Sequence, residues 1–276
     1  MTDVLTPDSA VHTRPHGLRA IAHDSRIIAW RNLIHLPRTP ELVIFTLIQP
    51  VMFVLLFNYV FGGAIGAALP PSVSYAQFLI PGIMVQTLVF GSSATAVGLA
   101  DDLQKGIIDR FRSLPISRSA VLNGRIIADA IRLTVVAVVL IVIGYLVGFR
   151  FEGGAGMGLL MILVAVSFGT AMCWIMANIG MAVKDAETAQ TAGFVWLFPL
   201  TFVSSVFTPV ATMPGWLQVI ARNNPVTLVA NLLRALSLGE VLPGTTWASM
   251  TTPVVLWVVG ITAVAAPFAV SRYRKV

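Results

Sequence analysis

Six apolar runs, each close to the roughly 20 residues that a helix needs to cross a bilayer, restrict this chain to a polytopic membrane fold. They are Leu42–Phe61, Phe78–Leu99, Ala128–Phe149, Met157–Val183, Thr191–Val210 and Trp247–Val270. Hydrocarbon offers no hydrogen bonds to the backbone, so runs of this length are expected to be helical. Composition agrees, with 57% hydrophobic and 11% charged residues and a mean hydropathy of +0.85. A soluble domain carries about 25% charged residues. A seventh run, Val226–Leu236, is too short to cross and contains Arg234. With Trp216, Leu217 and Ile220 it reads as a pair of short external or re-entrant helices before the last span.

Lys and Arg set the expected orientation. All of the 18 basic residues except Arg150, Arg222 and Arg234 fall on one side if there are six spans. Both termini are therefore predicted in the cytoplasm of a cell that carries the chain in its plasma membrane. The net charge of +6 marks the inner edges of spans, where anionic lipid attracts them, and not a nucleic-acid partner. Residues 1–20 read as a flexible tail and 21–276 as one transmembrane domain. Within it Ile21–Leu36 forms an amphipathic helix whose Ile27, Trp30 and Ile34 share a face.

Several kinds of chemistry are missing from the sequence. Cys173 is the single cysteine, so there is no disulfide framework. His12 and His16 have metal-ligand spacing, but Pro15 interrupts the helix they would need, and no metal site is expected. The stretch from Gly239 to Thr246 has the glycine spacing of a phosphate loop without its lysine. Asp101 and Asp102 are adjacent and do not face each other. Near the inner end of the third run, Asp129 and Arg132 are spaced to pair on one helix face. No charge lies near the centre of a run, whereas ion-coupled transporters usually carry one.

Two groups of residues remain as candidates. Gln49, Asn58, Gln86, Asn178 and Ser204 are polar groups within the runs, which either line a cargo path or bond neighbouring helices. The string Gly91 to Ala96 is read as a close-packing surface, and Pro199 predicts a kink. Between the second and third runs, Ile107, Ile108, Phe111 and Leu114 form an apolar face at helical spacing, with Asp109, Arg110 and Arg112 elsewhere. Pro115 ends that segment. Periodicity alone leaves two readings open, a docking helix for a soluble partner or a loop with an incidental amphipathic turn.

The stretch Gly106-Ile107-Ile108-Asp109-Arg110-Phe111-Arg112-Ser113-Leu114-Pro115, continued to Leu122 and Gly124-Arg125, resembles the signature of type-2 ATP-binding-cassette permeases. The daunorubicin-resistance exporters are the branch it is most similar to. Gln49-Pro50 through Gly63, Phe207-Thr208-Pro209 through Trp216, and Asn224-Pro225 through Ala235 match in the same order. Asn123 departs from the pattern, in a slot expected to be apolar. The resemblance implies an all-α permease that binds no cofactor itself. ATP and magnesium would sit on two copies of a partner ATPase, and a second permease, identical or related, would complete the transporter. Gly106–Pro115 would be the coupling helix, and cargo would be amphipathic: a drug, a natural product or a lipid. A secondary transporter or channel not powered by ATP is the alternative. Membrane lipids are the remaining expected partners.

Overall fold

The computed structural model describes residues 40–67, 69–70, 73–106 and 118–275. The predicted tail 1–20, the amphipathic helix 21–36 and residues 107–117 lie outside the described residues. Everything regular among the described residues is helical. We number the α-helices α1 Pro40–Leu55, α2 Gly62–Gly66, α3 Tyr75–Gly91, α4 Ser93–Gln104, α5 Arg118–Leu146 and α6 Gly154–Gly180. They continue as α7 Ala186–Phe202, α8 Gly215–Asn223, α9 Pro225–Leu238 and α10 Trp247–Lys275.

Among the described residues, five stretches are long and apolar enough to cross a membrane: Leu47–Gly66, Tyr75–Gln104, Ala120–Leu146, Gly154–Gly180 and Trp247–Tyr273. The first passes from α1 to α2 through a π-helical segment, Leu56–Phe61. The second is broken at Ser92 between α3 and α4. It begins three residues before the predicted run, because Ser74 and Gln77 form a reciprocal cap: the Gln77 amide N–H donates to Ser74 Oγ, and the Ser74 N–H to Gln77 Oε1. In the first and second spans, these boundaries differ from the apolar runs because capping and π geometry, not hydropathy, set them.

The fifth predicted run behaves differently. Helix α7 has 17 residues, about 26 Å at 1.5 Å per residue, and ends at Phe202 instead of Val210. Asp185 caps its start, accepting from the Thr188 N–H and hydroxyl; these bonds hold its carboxyl below the usual range. Its end follows from Pro199, which cannot donate to the helix ladder, and from Asn224. The Asn224 Nδ2 donates to the carbonyls of Leu200 at 2.7 Å and Val203 at 2.6 Å. These bonds take up carbonyls exposed by the end of the helix.

Residues 203–208 then run without helical structure through the bundle. The chain returns as α8, whose Trp216, Val219 and Ile220 are exposed, and as α9. Asn224 caps α9 by accepting from the Val226 N–H at 2.8 Å, and Pro225 occupies its first position. Most of α9 is buried, including Val226, Val229, Leu233 and Arg234. It packs on α3 and α6, so it enters the bundle and does not lie on its surface.

Helix α6 is the centre of the packing and touches α3, α4, α5, α7, α9 and α10. Phe168, Met172 and Met176 on α6 join Met84 and Leu88 on α3 and Leu133 on α5 in the buried core. Close approach of α3 to the 203–208 segment requires glycine at one point. A Cβ on Gly82 would stand 2.4 Å from the Val206 carbonyl oxygen. Gly82→Ala is therefore expected to lower the thermal unfolding midpoint of the detergent-solubilised protein, with an overpacking cost of about 1–3 kcal/mol. Gly260→Ala, whose Cβ meets nothing within 4 Å, should leave the midpoint within error. Equal midpoints for both variants would contradict this packing.

A polar cavity at the break in the second span

The break at Ser92 sits beside a line of charges on α5. Arg125, Asp129 and Arg132 recur at helical spacing on one face, which meets α3 and α4. Arg125 Nη1 pairs with Asp102 Oδ2 at 2.9 Å, and Arg132 Nη2 with Asp129 Oδ1 at 3.2 Å. Arg132 Nη2 also donates to the Gly91 carbonyl at 2.9 Å, and Thr95 Oγ1 donates to Asp129 Oδ2 at 2.7 Å. Asp129 and Arg132 thus pair, as the i, i+3 spacing predicts, and both carboxylate oxygens are occupied. Ser92, Thr95 and Ala96 are buried, so the small-residue string does pack. Its Gly91, Ser93 and Ala94 face an opening.

That opening is a cavity of about 190 Å³. Helix α1 contributes Gln49, Pro50 and Phe53; α3 contributes Gln86, Thr87, Phe90 and Gly91; α4 contributes Ser93 and Ala94; Arg132 comes from α5 and Phe194 from α7. Gln49 and Ala94 are exposed and mark its mouth. Gln86 is 3% exposed, and neither its Nε2 nor its Oε1 has a hydrogen-bond partner among the described residues. A buried amide left bare costs about 1–3 kcal/mol, which makes Gln86, a residue of the cavity wall, a candidate for contacting a ligand. The apolar walls are aromatic: Phe90 meets Phe194 edge-on at 5.7 Å and Phe198 at 5.1 Å. Phe53 packs edge-on against Phe207 at 5.8 Å, while Phe57 stacks on Phe207 at 4.4 Å. These rings join the cavity to the 203–208 segment. A larger space of about 610 Å³, lined by Ile175, Trp257, Gly260 and Val264 among others, is apolar and lies along α6 and α10.

Of the five polar residues singled out in the spans, the structure brings together Gln49 and Gln86. Asn58 is half-buried in the π-helical segment and does not line the cavity. Asn178 Nδ2 donates to the carbonyls of Trp174 and Ala265, both at 2.9 Å, joining α6 to α10. Ser204 is buried, its hydroxyl donating to the Thr201 carbonyl and accepting from the Val206 N–H. Sequence reasoning missed Arg132 as a cavity wall, although Arg125, Asp129 and Arg132 form a stripe that signals a polar seam toward a neighbouring helix. It also missed the role of Arg234, whose signal was a single arginine in a short apolar run.

Of the predicted coupling residues, Gly106 is described, in the left-handed region at φ 65° that suits glycine. Ile107, Ile108, Asp109, Arg110, Phe111, Arg112, Leu114 and Pro115 lie outside the described residues. At the end of α4, Lys105 Nζ pairs with Asp101 at 2.7 Å, which raises the pKa of Lys105. The segment that follows joins α4 directly to α5.

Residues 24–238 match the family described as ABC-2 type transporter. The chain is 34% identical, over 89% of its length and 84% of the relative's, to a daunorubicin resistance ABC transporter permease protein of Streptomyces coeruleorubidus. It is 28% identical, over 84% of its length and 82% of the relative's, to a probable doxorubicin resistance ABC transporter permease protein of Mycobacterium tuberculosis. A probable multidrug ABC transporter permease of Escherichia coli is 24% identical over 74% of this chain and 54% of its own.

The bare amide predicts an uncommon outcome. Gln86→Leu should raise the stability of the empty protein by about 1–3 kcal/mol, the desolvation cost of the two unpaired atoms. Thermal unfolding in detergent measures it. A fall in the midpoint would show that Gln86 holds a bond in the empty protein.

Proposed function

The chain belongs to the ABC-2 type transporter family and is a multi-pass membrane permease, and on that premise we propose that it carries amphipathic cargo out of the cytoplasm or inner leaflet. The observation that carries this reading is the cavity at the Ser92 break, which sets polar side chains among aromatic walls inside an otherwise apolar bundle. Gln49, Gln86, Thr87 and Arg132 would hold the polar part of a cargo, and Phe53, Phe90 and Phe194 its apolar part. Asn58, Asn178 and Ser204 would support the helices around it.

A separate ATPase supplies the energy in this proposal. Two ATPase subunits would dock on Gly106–Pro115, with Phe111 and Leu114 as buried anchors and Arg110 and Arg112 at the rim. Because this segment links α4 and α5, its displacement would move both walls of the Arg125–Asp129–Arg132 seam, and so the cavity beside it. ATP and magnesium would bind the ATPase alone. A second permease, identical or related, would cover the exposed mouth at Gln49 and Ala94, since polar groups open to lipid are costly. Both termini would be cytoplasmic, as the distribution of Lys and Arg requires.

Buried aromatic anchors commonly contribute about 2 kcal/mol or more and rim charges less. The double variant Phe111→Ala, Leu114→Ala should reach the membrane but fail to retain the ATPase in a pull-down. Arg112→Ala should give a milder, salt-sensitive loss. Normal retention by the double variant would reduce this segment to a loop.

Orientation is tested separately, in a Cys173→Ala background. A cysteine at exposed Glu240 should react with an impermeant thiol reagent on intact cells, and one at exposed Lys184 only after permeabilisation. The reverse pattern would invert the topology.

A further inference from the structure

Asp129 does not line the cavity, yet it sets what the charged wall presents. Among the described residues that line it, Arg132 is the sole charged one. Its Nη2 is held 3.2 Å from Asp129 Oδ1, and the two side chains are only 18% and 12% exposed. In such surroundings a lone guanidinium would draw an anion strongly, because little water screens it. Paired, it offers N–H groups without net charge. Asp129 is itself held in place from the other side by Thr95 Oγ1 at 2.7 Å. The other polar side chains on the wall, Gln49, Gln86, Thr87 and Ser93, are uncharged, and among them the Gln86 amide has both its donor and its acceptor without a partner among the described residues.

We infer that Asp129 is a specificity-determining residue: by neutralising Arg132 it limits the cavity to an uncharged cargo group that accepts from Gln86 Nε2 and donates to Gln86 Oε1. A carboxamide or a hydroxy-carbonyl unit on an aromatic ring has that pattern, and Phe53, Phe90 and Phe194 would flank the ring. A carboxylate would leave water without a free cation to replace it and would lack the donor that Gln86 Oε1 requires. This inference rests on the cavity being the cargo site.

The test is ATP-dependent uptake into inside-out vesicles that contain the full permease with its ATPase. Two probes are compared, a fluorescent boron-dipyrromethene carboxamide and the carboxylate of the same fluorophore. The wild-type protein should prefer the carboxamide. Asp129→Asn, which keeps an acceptor for Thr95, should shift the uptake ratio toward the carboxylate by about tenfold, the low end for a close charge interaction. Arg132→Gln should shift it the other way, and the double variant should return to the wild-type ratio. A structural role alone would slow both probes together, so an unmoved ratio, or shifts in one direction for both single variants, overturns the inference. Ser93→Trp, which fills the cavity, separates it from the broader reading. Undiminished uptake in Ser93→Trp contradicts the cargo site itself. Blocked uptake in Ser93→Trp, with a ratio that Asp129→Asn leaves unmoved, contradicts only the charge assignment.

Discussion

A chain that turns back inside an apolar bundle must find donors for the carbonyls it uncovers, and here Asn224, Arg234 and Tyr75 supply them from outside the segment while Ser204 serves Thr201 from within it. Between Leu200 and Phe207 the helix has ended and the backbone cannot satisfy itself. Asn224 donates to Leu200 and Val203. The buried guanidinium of Arg234 donates to the Ser205 carbonyl at 2.6 Å and, through Nη1, to Ser205 Oγ at 2.9 Å and Asn231 Oδ1 at 2.8 Å. Its Nε reaches the Phe78 carbonyl at 2.8 Å, and the group lies over the Phe78 ring at 3.6 Å. Tyr75 donates its hydroxyl proton to the Phe207 carbonyl at 3.0 Å. No carboxylate pairs with Arg234 among the described residues. Carbonyl dipoles and an aromatic face share the task of replacing its hydration.

The rest of the site depends on that arrangement. Because the segment is fixed against α3, Phe207 stands where it can stack on Phe57 and meet Phe53. The first span, which buries little of itself against the others, is held to the bundle partly through those rings. Phe53 is also a wall of the cavity. A second polar seam runs along α5 and closes the cavity from the opposite direction, with Arg132 bonded to the carbonyl beside the Ser92 break. The cavity thus lies between two hydrogen-bonded polar arrangements, while neither amide atom of Gln86 has a partner among the described residues. Leaving this amide bare costs stability, the pattern expected of a group that a ligand can satisfy.

Hydropathy made the long helices legible, since length and apolar content are properties of the sequence alone. The Asp129–Arg132 pair was legible for a similar reason: i, i+3 spacing fixes which side chains can meet on one helix. The end of α7 was not legible, because Pro199 announced only a kink and the termination needs Asn224, 25 positions later. Arg234 in its short run left an external and a re-entrant helix both open, and the carbonyls of two other segments around the guanidinium decide for a helix that enters the bundle. Among the polar span residues, Gln86 and Asn178 have the same chemistry in the sequence. Only the fold distinguishes them, by giving Asn178 two carbonyl acceptors and Gln86 none.

In the proposed mechanism, cargo enters the cavity between α1, α3, α5 and α7. A photoreactive benzoylphenylalanine in place of Phe194 tests it most directly, compared with the same residue in place of Trp257 on the apolar groove along α10. Both substituted permeases would be irradiated in membranes with a radiolabelled aromatic compound that the transporter exports. Labelling is expected at position 194, suppressed by excess unlabelled compound, with no suppressible labelling at position 257. Suppressible labelling at 257 with none at 194 would place the cargo on the other face and contradict the proposed mechanism.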